Sequence, residues 1–162
     1  MQLTSEHREA LYAVAMRYCG YDRAAADDLV QDTCERAWQK LPSLHDEARI
    51  FPWLSRILHN CWVDVCRKRF KVIPVAEVPE QAIQSEEPSL WQRVTTDDFQ
   101  DAIEQLAEPF RSAAIMQYID KLSIAEIAQQ LTIPYATAAT RLHRARKQLR
   151  ELLHAKLNSD GG

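Results

Sequence analysis

Glycine is nearly absent, with three residues in 162, and two of these are the last two positions. The glycine-rich loops that wrap backbone amides around a phosphate are thereby excluded. Stretches rich in β-branched residues are few, which removes the usual signal for strands. The four cysteines, Cys19, Cys34, Cys61 and Cys66, show no C-x-x-C spacing and no accompanying histidine pair. No metal site is expected from them; they are thiols without an assigned role, consistent with a reducing compartment. No apolar run approaches the roughly 20 residues that span a bilayer, and nothing reads as a signal peptide. The expectation is a cytoplasmic chain with no membrane insertion. A credible nucleophile and base set is also missing, so neither enzyme activity nor a cofactor is expected.

Apolar residues nevertheless make up 46% of the chain, enough for packed cores, and they recur at helical spacing. Leu3, Ala10, Leu11, Val14, Ala15 and Tyr18 form one stripe, broken at Gly20-Tyr21-Asp22. A second helix starts at Asp22 or Ala26, with Leu29, Val30, Thr33, Cys34, Ala37, Trp38 and Leu41 on its inner face, and stops at Pro42. Pro52 suits the first position of a third helix, whose inner face is Trp53, Leu54, Ile57, Leu58, Cys61, Trp62 and Val65. Prolines 74, 79 and 88, mixed with glutamates, then interrupt the periodicity and read as a tether. Periodicity resumes at Phe99. The pattern predicts an all-α protein of two small helical domains, residues 1–71 and 97–157, joined by a flexible linker over 72–96.

The formal net charge of −3 conceals two compact basic patches in an acidic background. One is RKRFK at residues 67–71; the other runs along the C-terminal helix. Local field, rather than net charge, decides whether a polyanion binds. The C-terminal region reads SIAEIAQQL, TIP, YATAATRLHRARKQLRELL, a helix-turn-helix whose first helix opens on a Ser123–Glu126 capping box. In its second helix Ala138, Leu142, Ala145 and Leu149 are expected to face inward. Residues near the start of such a helix reach base edges and later ones meet phosphates. Tyr135, Thr137, Thr140 and Arg141 are therefore expected to read bases, and Arg144, Arg146, Lys147 and Arg150 to neutralise the backbone. The third helix mixes Trp53, Trp62 and His59 with Arg56, Asn60, Arg67, Lys68 and Arg69, the mixture that holds single strands by stacking and charge. An acidic face on the second helix, Asp27, Asp28, Gln31, Asp32 and Glu35, has no companion histidine and suits a partner.

Together DDLVQDTCERAWQKL, FPWLSRILHNCWVDVCRKRF and LSIAEIAQQLTIPYATAATRLHRARKQLREL resemble the extracytoplasmic-function (ECF) sigma factors of bacterial RNA polymerase, in order and over most of the chain. The resemblance implies a transcription initiation factor that joins core RNA polymerase on promoter DNA and is controlled by an anti-sigma factor. It implies that Asp28, Gln31, Asp32 and Arg36 dock on polymerase. Trp53, Arg56, Asn60, Asp64, Arg67, Lys68 and Arg69 would open and read the −10 element. Tyr135, Thr137, Thr140, Arg141, Arg144, Arg146 and Lys147 would serve the −35 element. A stand-alone helix-turn-helix regulator is the alternative. Thr132 replaces the glycine common at the family's turn, and Ala139 replaces an outward cation.

Overall fold

A computed structural model describes residues 3–69 and 92–161, all of its regular structure helical. Most of the expected linker lies outside the described residues. The chain divides into two compact units, the first ending at Lys68 and the second beginning at Arg69.

The first unit contains α1 (Ser5–Tyr18), α2 (Arg23–Lys40) and all but the last residue of α3 (Ile50–Arg69). Thr4 caps α1 through its hydroxyl, which accepts the His7 N–H, and Asp22 caps α2 by accepting the Ala25 N–H. The break between them uses two consecutive left-handed residues, Gly20 (φ 59°) and Tyr21 (φ 64°). Leu11 and Ala15 from α1 and Ala26, Leu29, Val30 and Ala37 from α2 are buried, together with Leu54, Ile57, Leu58, Cys61 and Trp62 from α3. Thr33 is fully covered and satisfies its hydroxyl on the Leu29 carbonyl at 2.7 Å. Trp62 closes α3 on α1, its ring centroid 4.8 Å from that of Tyr18 and 5.5 Å from His59.

Two expectations for this unit need correction. Helix α3 begins at Ile50, so Pro52 is its third residue, still inside the first turn where backbone N–H groups have no helical acceptor to lose. Trp38 is not on the inner face of α2: it is 71% exposed. The buried stripe runs Ala26, Val30, Thr33, Ala37, and Trp38 stands one residue, about 100°, further round the helix.

The second unit contains α4 (Thr96–Gln105), α5 (Phe110–Ala114) running into a π-helical turn (Ile115–Ile119), α6 (Ile124–Leu131) and α7 (Tyr135–Asp160). Helix α4 opens one residue earlier than the expected domain boundary, on a Thr95–Asp98 capping box. Helix α7 carries the core on Ala138, Leu142, Ala145, Leu149 and Leu153, each at most 1% exposed, and α4, α5 and α6 pack against it. The expected Ser123–Glu126 box is present, with Ser123 N–H donating to the Glu126 carboxylate at 2.8 Å. Thr132 ends α6 in the left-handed region (φ 55°, ψ 48°), and the Ile133 N–H returns to the Ala128 carbonyl at 3.0 Å. Pro134 then sets the entry to α7. Only residues 132–134 separate the two helices, which fixes them as a helix-turn-helix.

Candidate nucleic-acid interface

On α3 the spacing of Trp53, Arg56, Asn60, Asp64, Arg67 and Lys68 follows the i, i+3, i+4 rule, so the six lie along one ridge. Arg56, Asn60, Lys68 and Arg69 are exposed, while Trp53, Asp64 and Arg67 are half-buried. Trp62, also a candidate for stacking on bases, is 2% exposed and belongs to the core. The two tryptophans thus divide by helical position, Trp62 inward and Trp53 at the edge.

Trp53 edges an open hollow of about 510 Å³ between α3 and the segment that leads into it. Its other walls include His45, Asp46, Arg49, Pro52 and Arg56. The segment leading into α3 contains short 3₁₀ turns at Leu41–Ser43 and Glu47–Arg49, the second capped by Asp46, whose carboxylate accepts the Ala48 N–H at 3.0 Å. Its lining thus includes one tryptophan, two arginines, one histidine and one aspartate. Such a set can stack on a planar base and hydrogen-bond to its edge. Sequence reasoning passed over His45, Asp46 and Arg49 as loop. The signal was a polar run held between Pro42 and Pro52, two points where chain direction is fixed.

The acidic face of α2 is presented as expected: Asp27, Asp28, Gln31, Asp32 and Glu35 are all exposed. Trp38 continues its ridge from Gln31 and Glu35, which are themselves joined at 3.3 Å. Arg36 is different. Its guanidinium turns to α3 and donates to Asp64 at 2.7 Å, and this bond raises its pKa above the ordinary arginine value against the opposing effect of burial. Beside it the Cys61 thiol is pushed up by burial, which keeps it protonated and unreactive. The residues expected to serve polymerase and those expected to serve the −10 strand thus meet at Asp64.

On α7, Tyr135 is 57% exposed, Lys147 is exposed, and Thr137 and Arg144 are half-buried. Two outward expectations fail. Arg141 is 1% exposed, because it lies three residues after Ala138 and four before Ala145, on the flank of the inward stripe. Thr140 is 3% exposed, between the buried Ala139 and Arg141 on the covered side of the helix. Arg146 stands four residues after Leu142 and is held within the unit, its Nε donating to the Tyr118 hydroxyl at 2.9 Å and its Nη2 to the Gln117 side chain at 3.2 Å. Ala139 is likewise buried, so a cation there has no outward position to fill.

Among the described residues no helix is long and apolar enough to cross a membrane. Residues 3–71 match the family model for Sigma-70 region 2, and residues 96–149 that for Sigma-70, region 4. The ECF RNA polymerase sigma factor SigE of Mycolicibacterium smegmatis is 31% identical over 98% of this chain, which spans 63% of that protein. SigL of Mycobacterium tuberculosis, another ECF RNA polymerase sigma factor, is 34% identical over 91% of the chain and 85% of its own length. The sigma factor RpoE of Bartonella quintana, solved in complex with the anti-sigma factor NepR, superposes with a TM-score of 0.46 at 28% identity, covering 92% of each chain. Two family segments in order, with a 34% identical relative along nearly the whole length, establish that this chain is a member of the ECF family of RNA polymerase sigma factors.

Proposed function

We propose that the chain joins core RNA polymerase through the acidic face of α2, engages an unpaired −10 strand on α3, and sets α7 against the −35 duplex. The observation that carries this assignment is the hollow beside Trp53. A protein that binds only duplex DNA has no use for an aromatic-edged pocket at the head of a cationic ridge. Opening a duplex costs a few kcal/mol per unstacked step, and a base received between Trp53, Arg56 and the His45–Arg49 segment offsets part of that cost. Asn60, exposed one turn on, can meet a base edge, and Lys68 and Arg69 the phosphates that follow. On α7 the −35 residues are Tyr135, Thr137, Arg144 and Lys147; Thr140 and Arg141 act from beneath, as packing that sets the helix's orientation. Control by an anti-sigma factor, the mode of regulation the family implies, is part of this proposal.

The test is abortive transcription with purified core polymerase on a library of genomic promoter fragments. Short RNA products should start from a defined subset of fragments only when the chain is added. Duplex binding by the chain without any promoter-dependent initiation would instead identify a stand-alone regulator.

A further inference from the structure

The carboxylate of Asp64 stands in the middle of the α3 ridge, between Asn60 and Arg67, where the strand is to lie. A bare carboxylate at that point repels every phosphate that approaches. Its two oxygens, however, each accept from a guanidinium: Arg36 Nη1 lies 2.7 Å from Oδ2 and Arg67 Nη1 lies 3.3 Å from Oδ1. Arg67 is one turn along the same helix, whereas Arg36 reaches across from α2. The side chains of Arg36, Asp64 and Arg67 are 39%, 31% and 41% exposed. The trio is open enough to act on a ligand and covered enough to be held in place. It carries one net positive charge where two arginines alone carry two. A guanidinium has five N–H donors, so the bond to Asp64 fixes its plane without exhausting what it can offer a phosphate.

We propose that Asp64 is a positioning residue that sets both the aim and the strength of the strand-binding charge. It draws Arg36 from α2 onto the strand-facing side of α3, and it caps the sequence-independent attraction of the ridge by offsetting one of the two arginines. The cap matters because phosphate attraction strengthens binding to every sequence alike, whereas discrimination comes from base contacts such as those open to Asn60 and the hollow. Arg36 then acts through Asp64 on the DNA side of the unit rather than as a polymerase contact. This inference rests on α3 being the strand-binding helix.

The experiment compares holoenzymes reconstituted from core polymerase and full-length chain, wild type or variant. Binding of fluorescein-labelled oligo(dT) and of a mixed-sequence single strand is followed by anisotropy across a potassium chloride series. Asp64→Asn should tighten both complexes and steepen the slope of log K against log salt by about 0.7, the equivalent of one further phosphate on a single strand. Asp64→Glu, which keeps the charge and both acceptor oxygens, should return the slope to the wild-type value. If Asp64 merely pins α2 to α3, Asp64→Asn will lower the unfolding temperature while the slope stays the same or becomes shallower, and that result overturns the proposal. Arg56→Ala and Lys68→Ala separate the two levels of inference. If neither reduces the slope, α3 does not bind the strand and the assignment of Asp64 falls with it. If they do reduce it and Asp64→Asn fails to steepen it, the role of Asp64 alone is lost.

Discussion

Asp98 shows how much a single carboxylate does in this fold. Its Oδ2 accepts from the Thr95 backbone and hydroxyl at the start of α4, and its Oδ1 lies 2.8 Å from the Lys156 ammonium near the end of α7. Lys156 also reaches Asp101 at 3.1 Å, so one cation ties the two helices together. The hydrogen bond from Lys156 first, and that from Thr95 second, hold the Asp98 carboxyl down to about 2, and the bonds to Asp98 and then Asp101 raise Lys156 above its ordinary value. The folded pKa is below the unfolded one, so folding is favoured by ionised Asp98. That contribution is complete above the unfolded value of about 4 and is lost as pH falls through the folded value. Wild type and Asp98→Asn should therefore differ in urea midpoint at pH 6 and converge as pH drops from about 4 to about 2. A difference that stays constant over this range would show that ionisation of Asp98 is not what joins the helices.

At the scale of elements, α7 separates two jobs that its sequence presents as one. Arg144, Arg146 and Lys147 look alike as a run of cations, but the helix turns them to different surroundings. Arg146 anchors the π-helical turn through Tyr118 and Gln117, whereas Lys147 is exposed. Arg146→Met should lower stability by about 1 kcal/mol in urea titration, since it removes two hydrogen bonds to the half-buried Tyr118 and Gln117, and should change the salt slope of duplex binding little. Lys147→Ala should leave stability within about 0.5 kcal/mol and reduce that slope by about 0.9. The reverse pattern would place α7 the other way round. The same contrast explains what was legible beforehand. Core stripes, the Ser123–Glu126 capping box and the short turn are set by local periodicity and cap chemistry, so Leu142 and Ser123 could be read directly, whereas the special turn position at Thr132 was marked by the family resemblance. Arg141, Arg146 and Trp38 could not, because each sits at the border of its helix's apolar stripe, where a rotation of one residue decides burial and only the neighbouring element settles it. The hollow beside Trp53 depends on how a loop folds back on α3, which no helical period encodes.

For the whole molecule, the proposed function requires a partner, and the proposed place of contact is the surface of α2. Asp27, Asp28, Asp32 and Glu35 are exposed together, and Trp38 exposes 71% of its surface beside them. A large ring left in water by a folded domain is the kind of residue that dominates interfaces, with truncation costing about 2 kcal/mol or more at such sites. The acids around it steer a basic surface and reject an acidic one. Asp32→Arg should accordingly weaken association with core polymerase by roughly tenfold, about 1.4 kcal/mol, mainly through slower and more salt-sensitive association. Trp38→Ala should cost about thirtyfold, mainly through faster dissociation, with little dependence on salt. Surface plasmon resonance against immobilised core at two salt concentrations reads both rates. Because Asp32 and Trp38 lie outside the core of the first unit, circular dichroism of both variants should match wild type. Full affinity in both would remove α2 from the polymerase interface and leave its exposed tryptophan to some other partner. Loss in Trp38→Ala alone would keep the interface but make it apolar rather than electrostatic.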